Sequence, residues 1–364
     1  MSQITVHHGD CLKILPTLEA ESIDAVVTDP PYHLTSITKR LGKPGSKPIQ
    51  FGTDGAYARA SKGFLGKEWD GGDIAFRPET WVEVLRVMKP GAHMCAFGGT
   101  RTFHRMVTAI EHAGFDIRDT LVWIYGKGFP KSKNQGDGRG TALKPANELI
   151  VLARKPLIGS VASNIAKYGT GAINIDNCRV PITDFSSIKQ YKTPSLSSHV
   201  PFTDYDPKEK KWAAKDHHAL SPRYHKDGRW PTNVIRDDSD IVKAALENFS
   251  EGCSSFFYSA KAANQDRGGS KHPTVKPIDL IAYLARLITP PGRTVLDPFA
   301  GSGTTGISCL GEGLNAVLIE REAEYIADIN ESIAYYSGKG AHKLKFLNRN
   351  KGTDNPLPLF DGAA

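Results

Sequence analysis

The segment from Thr294 to Gly306 reads TVLDPFAGSGTTG, and it decides the fold class. It begins with an apolar strand pattern, continues through a turn rich in glycine, and becomes helical at Thr304. A second strand pattern then runs up to Glu320. A strand, a glycine turn, a helix and an acidic residue after the next strand form the layout of a nucleotide-binding unit in an α/β sheet. We therefore predict an α/β fold with a ligand at this turn.

The glycine turn is predicted to bind S-adenosylmethionine rather than a dinucleotide. Gly301, Gly303 and Gly306 let the backbone approach a ligand, and Glu320 can accept hydrogen bonds from ribose hydroxyls. Only about 60 residues follow Gly301, so the other strands must come from the N-terminal half and the strand order must be circularly permuted. Asp297 immediately precedes the turn, where its carboxylate can meet the ammonium group of a methionine moiety.

The rest of the chain supplies alternating strands and helices. Strand patterns occur at residues 3–8, 22–28, 91–97, 115–125, 148–153, 293–296 and 315–319, and helical patterns at 10–18, 78–88, 101–113, 277–288, 304–311 and 323–336. This alternation predicts a doubly wound, mostly parallel, Rossmann-like sheet. The strands at 115–125 and 148–153 are expected to be antiparallel to each other, because an irregular segment joins them.

The tetrapeptide Asp29-Pro30-Pro31-Tyr32 directly follows a buried strand pattern, at the end of a strand where α/β enzymes place their chemistry. Its two prolines stiffen the backbone, so the Asp29 carboxylate and the Pro30 carbonyl form a fixed pair of acceptors. An aryl amine that donates to both acceptors would direct its lone pair out of the ring and towards a methyl donor. Tyr32 offers a face on which a base can stack. The tetrapeptide therefore predicts methyl transfer to an exocyclic amino group.

Together, the tetrapeptide and the segment Asp297-Pro298-Phe299-Ala300-Gly301-Ser302-Gly303 resemble the amino-methylating DNA methyltransferases. The order, with the catalytic tetrapeptide first and the cofactor turn last, resembles their β class. The segment His272-Pro273-Thr274-Val275-Lys276-Pro277 is similar to the stretch before the cofactor-binding helix of that class. Gly9-Asp10-Cys11 resembles an N-terminal element that contacts the cofactor adenine in the family. The resemblance covers residues 3–154 and 264–336.

This resemblance implies direct, in-line methyl transfer from S-adenosylmethionine to a base flipped out of duplex DNA, without a metal ion. It implies that Asp29, Pro30, Pro31 and Tyr32 are catalytic. In the family, Asp at the first position favours adenine N6 and Ser favours cytosine N4, so adenine N6 is predicted and cytosine N4 is the alternative. The implied cofactor-binding residues are Asp10, Cys11, His272, Thr274, Lys276, Asp297, Pro298, Phe299, Ala300, Gly301, Ser302, Gly303, Thr304, Thr305 and Glu320.

Four segments are predicted. Residues 1–154 form the catalytic half of the methyltransferase domain, 264–337 the cofactor-binding half, and 338–364 a C-terminal tail. The inserted segment 155–263 is loop-rich and mixes aromatic, basic and polar residues, which predicts a target-recognition region. Residues 33–67 form a long basic loop. The DNA-contacting residues predicted in this loop and after residue 125 are Lys39, Arg40, Lys43, Lys47, Lys131, Lys133 and Arg139.

Composition narrows the possible partners and locations. The formal net charge of +7 is consistent with double-stranded DNA as a partner. No apolar run approaches the roughly 18–20 residues of a membrane helix, and the first residues lack a signal-peptide layout, so a cytoplasmic location is predicted. The five cysteines show no Cys-x-x-Cys spacing, so neither a disulfide framework nor a metal site is expected.

Several alternatives remain open at this stage. A homodimer, and docking of residues 356–360 on a bacterial sliding clamp, are hypotheses about further partners. An RNA or protein-glutamine methyltransferase can carry a similar tetrapeptide, usually with Asn in place of Asp29. A nicotinamide-dependent oxidoreductase could use the same glycine turn. A catalytically silent DNA-binding module is disfavoured by the intact tetrapeptide.

Overall fold

The computed structural model describes residues 2–32, 73–126, 135–136, 138–180, 205–206, 211–212, 228–237, 242, 257–258, 275–342 and 344. In these ranges, helices cover both faces of a nine-stranded sheet. Its strands are β1 (Ile4–His8), β2 (Ile23–Thr28), β3 (Met88–Gly98), β4 (Asp116–Ile124), β5 (Asn147–Arg154), β8 (Val234–Arg236), β9 (Phe257–Tyr258), β10 (Thr294–Asp297) and β11 (Asn315–Glu320). A separate short ribbon pairs β6 (Tyr205–Asp206) with β7 (Lys211–Trp212).

The helices of the described ranges lie at the predicted positions, with ends that differ by a few residues, except Val161–Tyr168. That helix was not predicted and forms in the segment expected to be loop-rich, between a Ser160 N-cap and Gly169 in the left-handed conformation. They are α1 (Cys11–Ile14), α2 (Pro78–Val87), α3 (Phe103–His112), α4 (Val161–Tyr168), α5 (Ile278–Ile288), α6 (Thr304–Glu312) and α7 (Ala323–Ser337). Short 3₁₀ turns cover Leu15–Thr17, Ile74–Phe76 and Asp176–Cys178. None of the helices in the described ranges is long and apolar enough to span a membrane.

The strand order is β1-β11-β10-β2-β3-β5-β4-β8-β9. All neighbouring pairs are parallel except the two pairs that contain β5. The C-terminal strands β10 and β11 lie between β1 and β2, which confirms the doubly wound, permuted α/β fold. The antiparallel pairing of β4 with β5 is also confirmed. The sheet does not end there, because β8 and β9 extend it beyond β4.

Two apolar cores hold the helices onto the sheet. On one face, Trp81 of α2 and Met106 of α3 are fully or almost fully buried against the strands. On the other face, α5 is apolar nearly all round and buries Leu280 and Tyr283. Because a helix that is apolar on all sides must lie inside a protein, α5 is a fixed element of the fold. Its N-terminus therefore has a well-defined position relative to the sheet.

The segment 155–263 contributes to the core of the sheet domain as well as to loops. Asn164 of α4 is fully buried and donates a hydrogen bond to the carbonyl of Pro90, 2.9 Å away. Strand β8 pairs in parallel with β4. In the tail, Leu344 is buried beside Tyr336 of α7. Parts of both segments therefore pack on the sheet domain.

Candidate active site

The two sequence motifs meet between the neighbouring strands β2 and β10. From β2 the chain crosses through α2 to β3 on one side, and from β10 it crosses through α6 to β11 on the other. The crevice where successive connections diverge is the usual ligand site of an open α/β sheet. Here Thr28, which precedes the catalytic tetrapeptide, donates a 2.7 Å hydrogen bond to Oδ1 of Asp297. This bond joins segments 269 residues apart in sequence.

Each glycine of the turn has a geometric reason. Gly301 and Gly303 have φ angles of 53° and 78°, in the left-handed region that favours glycine. At Gly303 a Cβ atom would also lie 2.9 Å from Ile329 of α7. Gly306, inside α6, lies so close to β11 that a Cβ would come within 2.7 Å of the Leu318 side chain. The turn therefore presents bare backbone at the N-terminus of α6, as a ligand-binding turn requires.

Asp297 braces the turn from within. Its Oδ1 accepts hydrogen bonds from Thr28 and from the Phe299 amide at 3.1 Å, and its Oδ2 accepts one from the Thr305 hydroxyl at 2.6 Å. The residue is only 3% exposed. Burial raises the pKa of its carboxyl from 3.8 to about 6, although the three hydrogen bonds act in the opposite direction. Asp297 thus links β2, the turn and α6, and its predicted contact with a methionine ammonium remains a prediction.

Glu320 lies across the turn at the end of β11. Its Oε2 accepts a 2.8 Å hydrogen bond from the Gly301 amide, and its Oε1 accepts one of 2.7 Å from the Glu322 amide. Burial raises the pKa of the carboxyl despite these bonds. The Gly9 amide donates to the Glu320 carbonyl at 2.9 Å. Asp10 follows as the N-cap of α1. The three cofactor elements predicted from sequence are therefore adjacent.

These residues fit S-adenosylmethionine. The left-handed turn opens at the carboxyl ends of the strands, and Glu320 has carboxylate lone pairs left over after its two amide bonds. Pro298 and Ala300 are buried, while Phe299 is half-buried beside them. Ser302 and Thr304 join their hydroxyls across the start of α6 at 3.0 Å. Cys11 is buried, and burial raises the pKa of its thiol to about 12, so it serves there as a neutral group.

The catalytic tetrapeptide packs on the first residues after β3. The Tyr32 ring lies against Gly99, where a Cβ would come within 3.1 Å of it. The Thr102 hydroxyl donates to the Tyr32 carbonyl at 3.0 Å. Pro30 is buried. In the described part of the chain, Oδ1 of Asp29 is buried without a hydrogen-bond partner. An unpaired buried acceptor is costly and marks a place where a donor is expected to bind.

Lys276 lies in the catalytic cluster. Its Nζ forms a short ion pair with Oδ2 of Asp29, and it lies 3.4 Å from the Tyr32 hydroxyl and 3.5 Å from Oε2 of Glu148. The Tyr32 hydroxyl is 3.3 Å from the same Glu148 oxygen. Burial raises the pKa of the Tyr32 hydroxyl well above its ordinary value, and Asp29 and Glu148 add to the effect. Glu148, the second residue of β5, was not predicted from sequence.

The predicted DNA-contacting residues fall mostly outside the described residues. These are Lys39, Arg40, Lys43, Lys47, Lys131 and Lys133, and the cofactor residues His272 and Thr274 lie outside as well. Arg139 is described and exposed, in the connection between β4 and β5. This connection leaves the carboxyl end of β4, at the same edge of the sheet as the catalytic tetrapeptide. Residues 356–360, the proposed clamp-binding peptide, also lie outside the described ranges.

Known proteins resemble this chain over most of its length. The family model for DNA methylases of the N6/N4 type matches residues 23–331. The type II methyltransferase M.HindIII of Haemophilus influenzae is 26% identical over 326 residues, 82% of this chain and 85% of that protein. The type II methyltransferase M.BglI of Bacillus subtilis is 30% identical over 141 residues, 38% of this chain and 39% of that protein.

Among solved structures, the cytosine-N4-specific PvuII DNA methyltransferase is similar in fold, with a TM-score of 0.50 at 16% identity. This match covers 96% of this chain and 93% of that one. At this identity the match supports the α/β fold alone. The family match spans both halves of the crevice, from β2 through the tetrapeptide and glycine turn to α7. The chain therefore belongs to the N6/N4 family of DNA methylases, which are site-specific methyltransferases that use S-adenosylmethionine.

Proposed function

We propose that this chain methylates N6 of adenine at specific sites in duplex DNA. The observation that carries the proposal is the buried Oδ1 of Asp29, which has no hydrogen-bond partner in the ranges that the structure describes and lies at the crevice between β2 and β10. A carboxylate oxygen in this state is an acceptor without a donor, and an exocyclic amino group provides one. The neighbouring turn around Gly301 supplies the place for the methyl donor.

The residues of the tetrapeptide divide the work. Tyr32, seated on Gly99, stacks on the flipped base. Asp29 accepts one N–H of the amine at Oδ1, and the carbonyl of Pro30 accepts the other. Held in this way, the nitrogen lone pair is directed away from the ring. Once the nitrogen is alkylated it carries a surplus proton, which Oδ1 of Asp29 can accept directly. Positioning supplies most of the rate gain in such a site.

The residues around the turn hold the cofactor. Glu320 and the element around Asp10 lie together at the ends of β11 and β1, where they can bind the ribose and the adenine. The bare backbone of Gly301 and Gly303 allows close approach. When bound, S-adenosylmethionine supplies a methyl group already activated by its sulfonium charge. Asp297 keeps β2 and the turn in register through its bond from Thr28.

Adenine is favoured over cytosine by the first residue of the tetrapeptide. Asp29 resembles the adenine-methylating members of the family, whereas serine is typical of cytosine N4 methylation. The base reaches the site by flipping out of the duplex, and residues 155–263 are the proposed reader of its sequence context. Arg139 and the basic residues of 33–67 and 131–133 are proposed to contact phosphates. Such contacts release counterions from the DNA, so its affinity for the protein should fall as the salt concentration rises.

The experiment is methylation of duplex DNA with labelled S-adenosylmethionine, followed by digestion to nucleosides and mass spectrometry. We expect label in N6-methyl-2′-deoxyadenosine, and labelling only of those duplexes that contain the recognised sequence. Label in N4-methylcytosine would overturn the base assignment, and preferential labelling of RNA would overturn the substrate. Calorimetry with NAD serves as a parallel control, because NAD binding without S-adenosylmethionine binding would contradict the whole assignment.

A further inference from the structure

The segment that precedes α5 places the ammonium group of Lys276 inside the catalytic cluster. Residues 275–278 are all buried, and Pro277 forms the N-cap of α5 with φ −60° and ψ 135°. Because α5 itself is buried in the core, the backbone of Lys276 has little freedom. Its side chain is 10% exposed and its ammonium reaches Asp29, Tyr32 and Glu148. Within the described part of the chain, none of its polar contacts is with the glycine turn.

We propose that Lys276 is a positioning residue of the catalytic loop, which holds Asp29 by Oδ2 so that Oδ1 faces the target amine. This inference rests on the proposed function and refines it. The resemblance implies that Lys276 binds the cofactor, whereas its contacts assign it to the residues that hold the base. Lys276 contacts Asp29, Tyr32 and Glu148 of β5, and so fixes the orientation of the first and last side chains of the tetrapeptide.

Charge balance gives Lys276 a second effect on the same cluster. Asp29 and Glu148 bring two carboxylates to one ammonium, so the cluster carries a single excess negative charge. Burial would lower the pKa of Lys276, but Asp29 and Glu148 outweigh burial and raise it. Without the ammonium, the two carboxylates would repel each other, and Asp29 would lose the contact that holds its Oδ2.

The groups that face this cluster are mostly acidic. They are Asp29 and Tyr32 after β2, Glu148 on β5, Tyr125 after β4 and Asp297 at the end of β10. In the described ranges Lys276 supplies the ammonium among them. Its removal should therefore leave Asp29 and Glu148 without the cation between them, and removal of one carboxylate should relieve their repulsion.

The test compares Lys276→Met, Lys276→Arg and the double variant Lys276→Met with Glu148→Gln against wild type. Lys89→Met is the matched control, because Lys89, with a side chain 19% exposed, pairs with the buried Asp24 near the other ends of the strands. The measurements are affinity for S-adenosylmethionine, single-turnover methyl transfer and thermal unfolding.

For Lys276→Met we expect a rate about 10–100-fold lower at pH 7, since a buried charged hydrogen bond is lost. Affinity for S-adenosylmethionine should stay within about twofold. Glu148→Gln should restore part of the rate by removing the second carboxylate. Lys276→Arg should retain charge and most of the rate. The unfolding temperature of Lys276→Met should lie below that of wild type, and Glu148→Gln should raise it again.

The contrary outcomes are distinct. Weakened S-adenosylmethionine binding with an unchanged rate at saturation would show that Lys276 serves the cofactor. A rate deficit with no recovery in the double variant would remove the positioning role. If Lys276→Met does not fold, the double variant, in which one carboxylate faces no ammonium, provides the same comparison of affinity against rate. A wild-type protein that transfers no methyl group to DNA would instead overturn the proposed function, while binding and unfolding still test the lysine.

Discussion

The glycine turn and the catalytic tetrapeptide lie side by side, yet their hydrogen bonding differs. In the turn, both carboxylate oxygens of Asp297 and both of Glu320 accept hydrogen bonds from the protein. In the tetrapeptide, one oxygen of Asp29 is held by Lys276, and the other has no hydrogen-bond partner among the described residues. The turn is therefore complete before a ligand arrives, whereas the tetrapeptide is complete only when a donor binds. Preorganised binding of the cofactor and selective binding of the base follow from this difference.

Asp29→Ala is the substitution with the largest expected effect on methyl transfer. Removal of the open acceptor should lower the methyl-transfer rate by about 10³-fold or more, because it removes an electrostatic contact made to the reacting amine. Affinity for S-adenosylmethionine should be nearly unchanged in calorimetry. Asp24→Asn is the matched control, since Asp24 is a buried aspartate in β2, the strand that precedes Asp29, and pairs with Lys89. Loss of cofactor binding in Asp29→Ala would show that Asp29 binds the cofactor rather than the target base.

Asp297→Asn probes the completed turn through the pH dependence of stability. Because the folded-state pKa of Asp297 is raised from 3.8 to about 6, the folded protein binds more protons than the unfolded chain between these values. Ionisation of Asp297 therefore lowers wild-type stability as pH rises from about 4 to 6, by on the order of 3 kcal/mol. The neutral variant lacks this loss. In urea unfolding, the free energy of unfolding of Asp297→Asn should rise relative to that of wild type between about pH 4 and 6. A difference that stays constant over this range would contradict the raised pKa.

Gly303→Ala tests the backbone of the turn. The positive φ angle and the overlap with Ile329 should together cost about 2–3 kcal/mol in the free energy of unfolding. The displaced turn should also weaken S-adenosylmethionine binding by about tenfold. Gly313→Ala is the matched control: Gly313 has φ 70° but no neighbour within 4 Å of a Cβ, so only the backbone strain of about 1 kcal/mol applies. Equal effects of the two variants would show that the packing of Gly303 is unimportant.

Tyr32→Phe should have the smallest effect. It keeps the ring that lies against Gly99 and removes the hydroxyl that contacts Glu148 and Lys276. Loss of about one hydrogen bond predicts a three- to tenfold lower rate with unchanged cofactor affinity. Tyr32→Ala provides the comparison, because it removes the stacking surface as well. A Phe variant as impaired as the Ala variant would mean that the hydroxyl, rather than the ring, is the important group.

The sequence was most informative where a site depends on one local segment. The strand before Asp29 and the glycine turn after Asp297 each carry their own signals, and the confirmed permuted fold follows from their order in the chain. Lys276 was found only through family resemblance, and its contacts with Asp29 could not be read from spacing, because they depend on where α5 packs. The basic loop of residues 33–67 remains a prediction.

Glu148 shows why one site residue was missed. A search along parallel strands looks at the residues that follow each strand, since those lie at the ligand-binding edge. Strand β5 runs in the opposite direction, so its first residues lie at that edge instead. The antiparallel direction of β5 was itself predicted. An acidic residue at the start of such a strand is therefore the signal that could have identified Glu148.

Strand β8 has a consequence for protein engineering. It returns from the inserted segment to pair with β4, so the polypeptide before it is tethered at two points, through α4 beneath β3 and through β8 beside β4. On the proposed assignment of residues 155–263 to target recognition, a graft that replaces residues 181–227 while keeping both anchors is expected to change the sequence specificity and to retain methyl transfer.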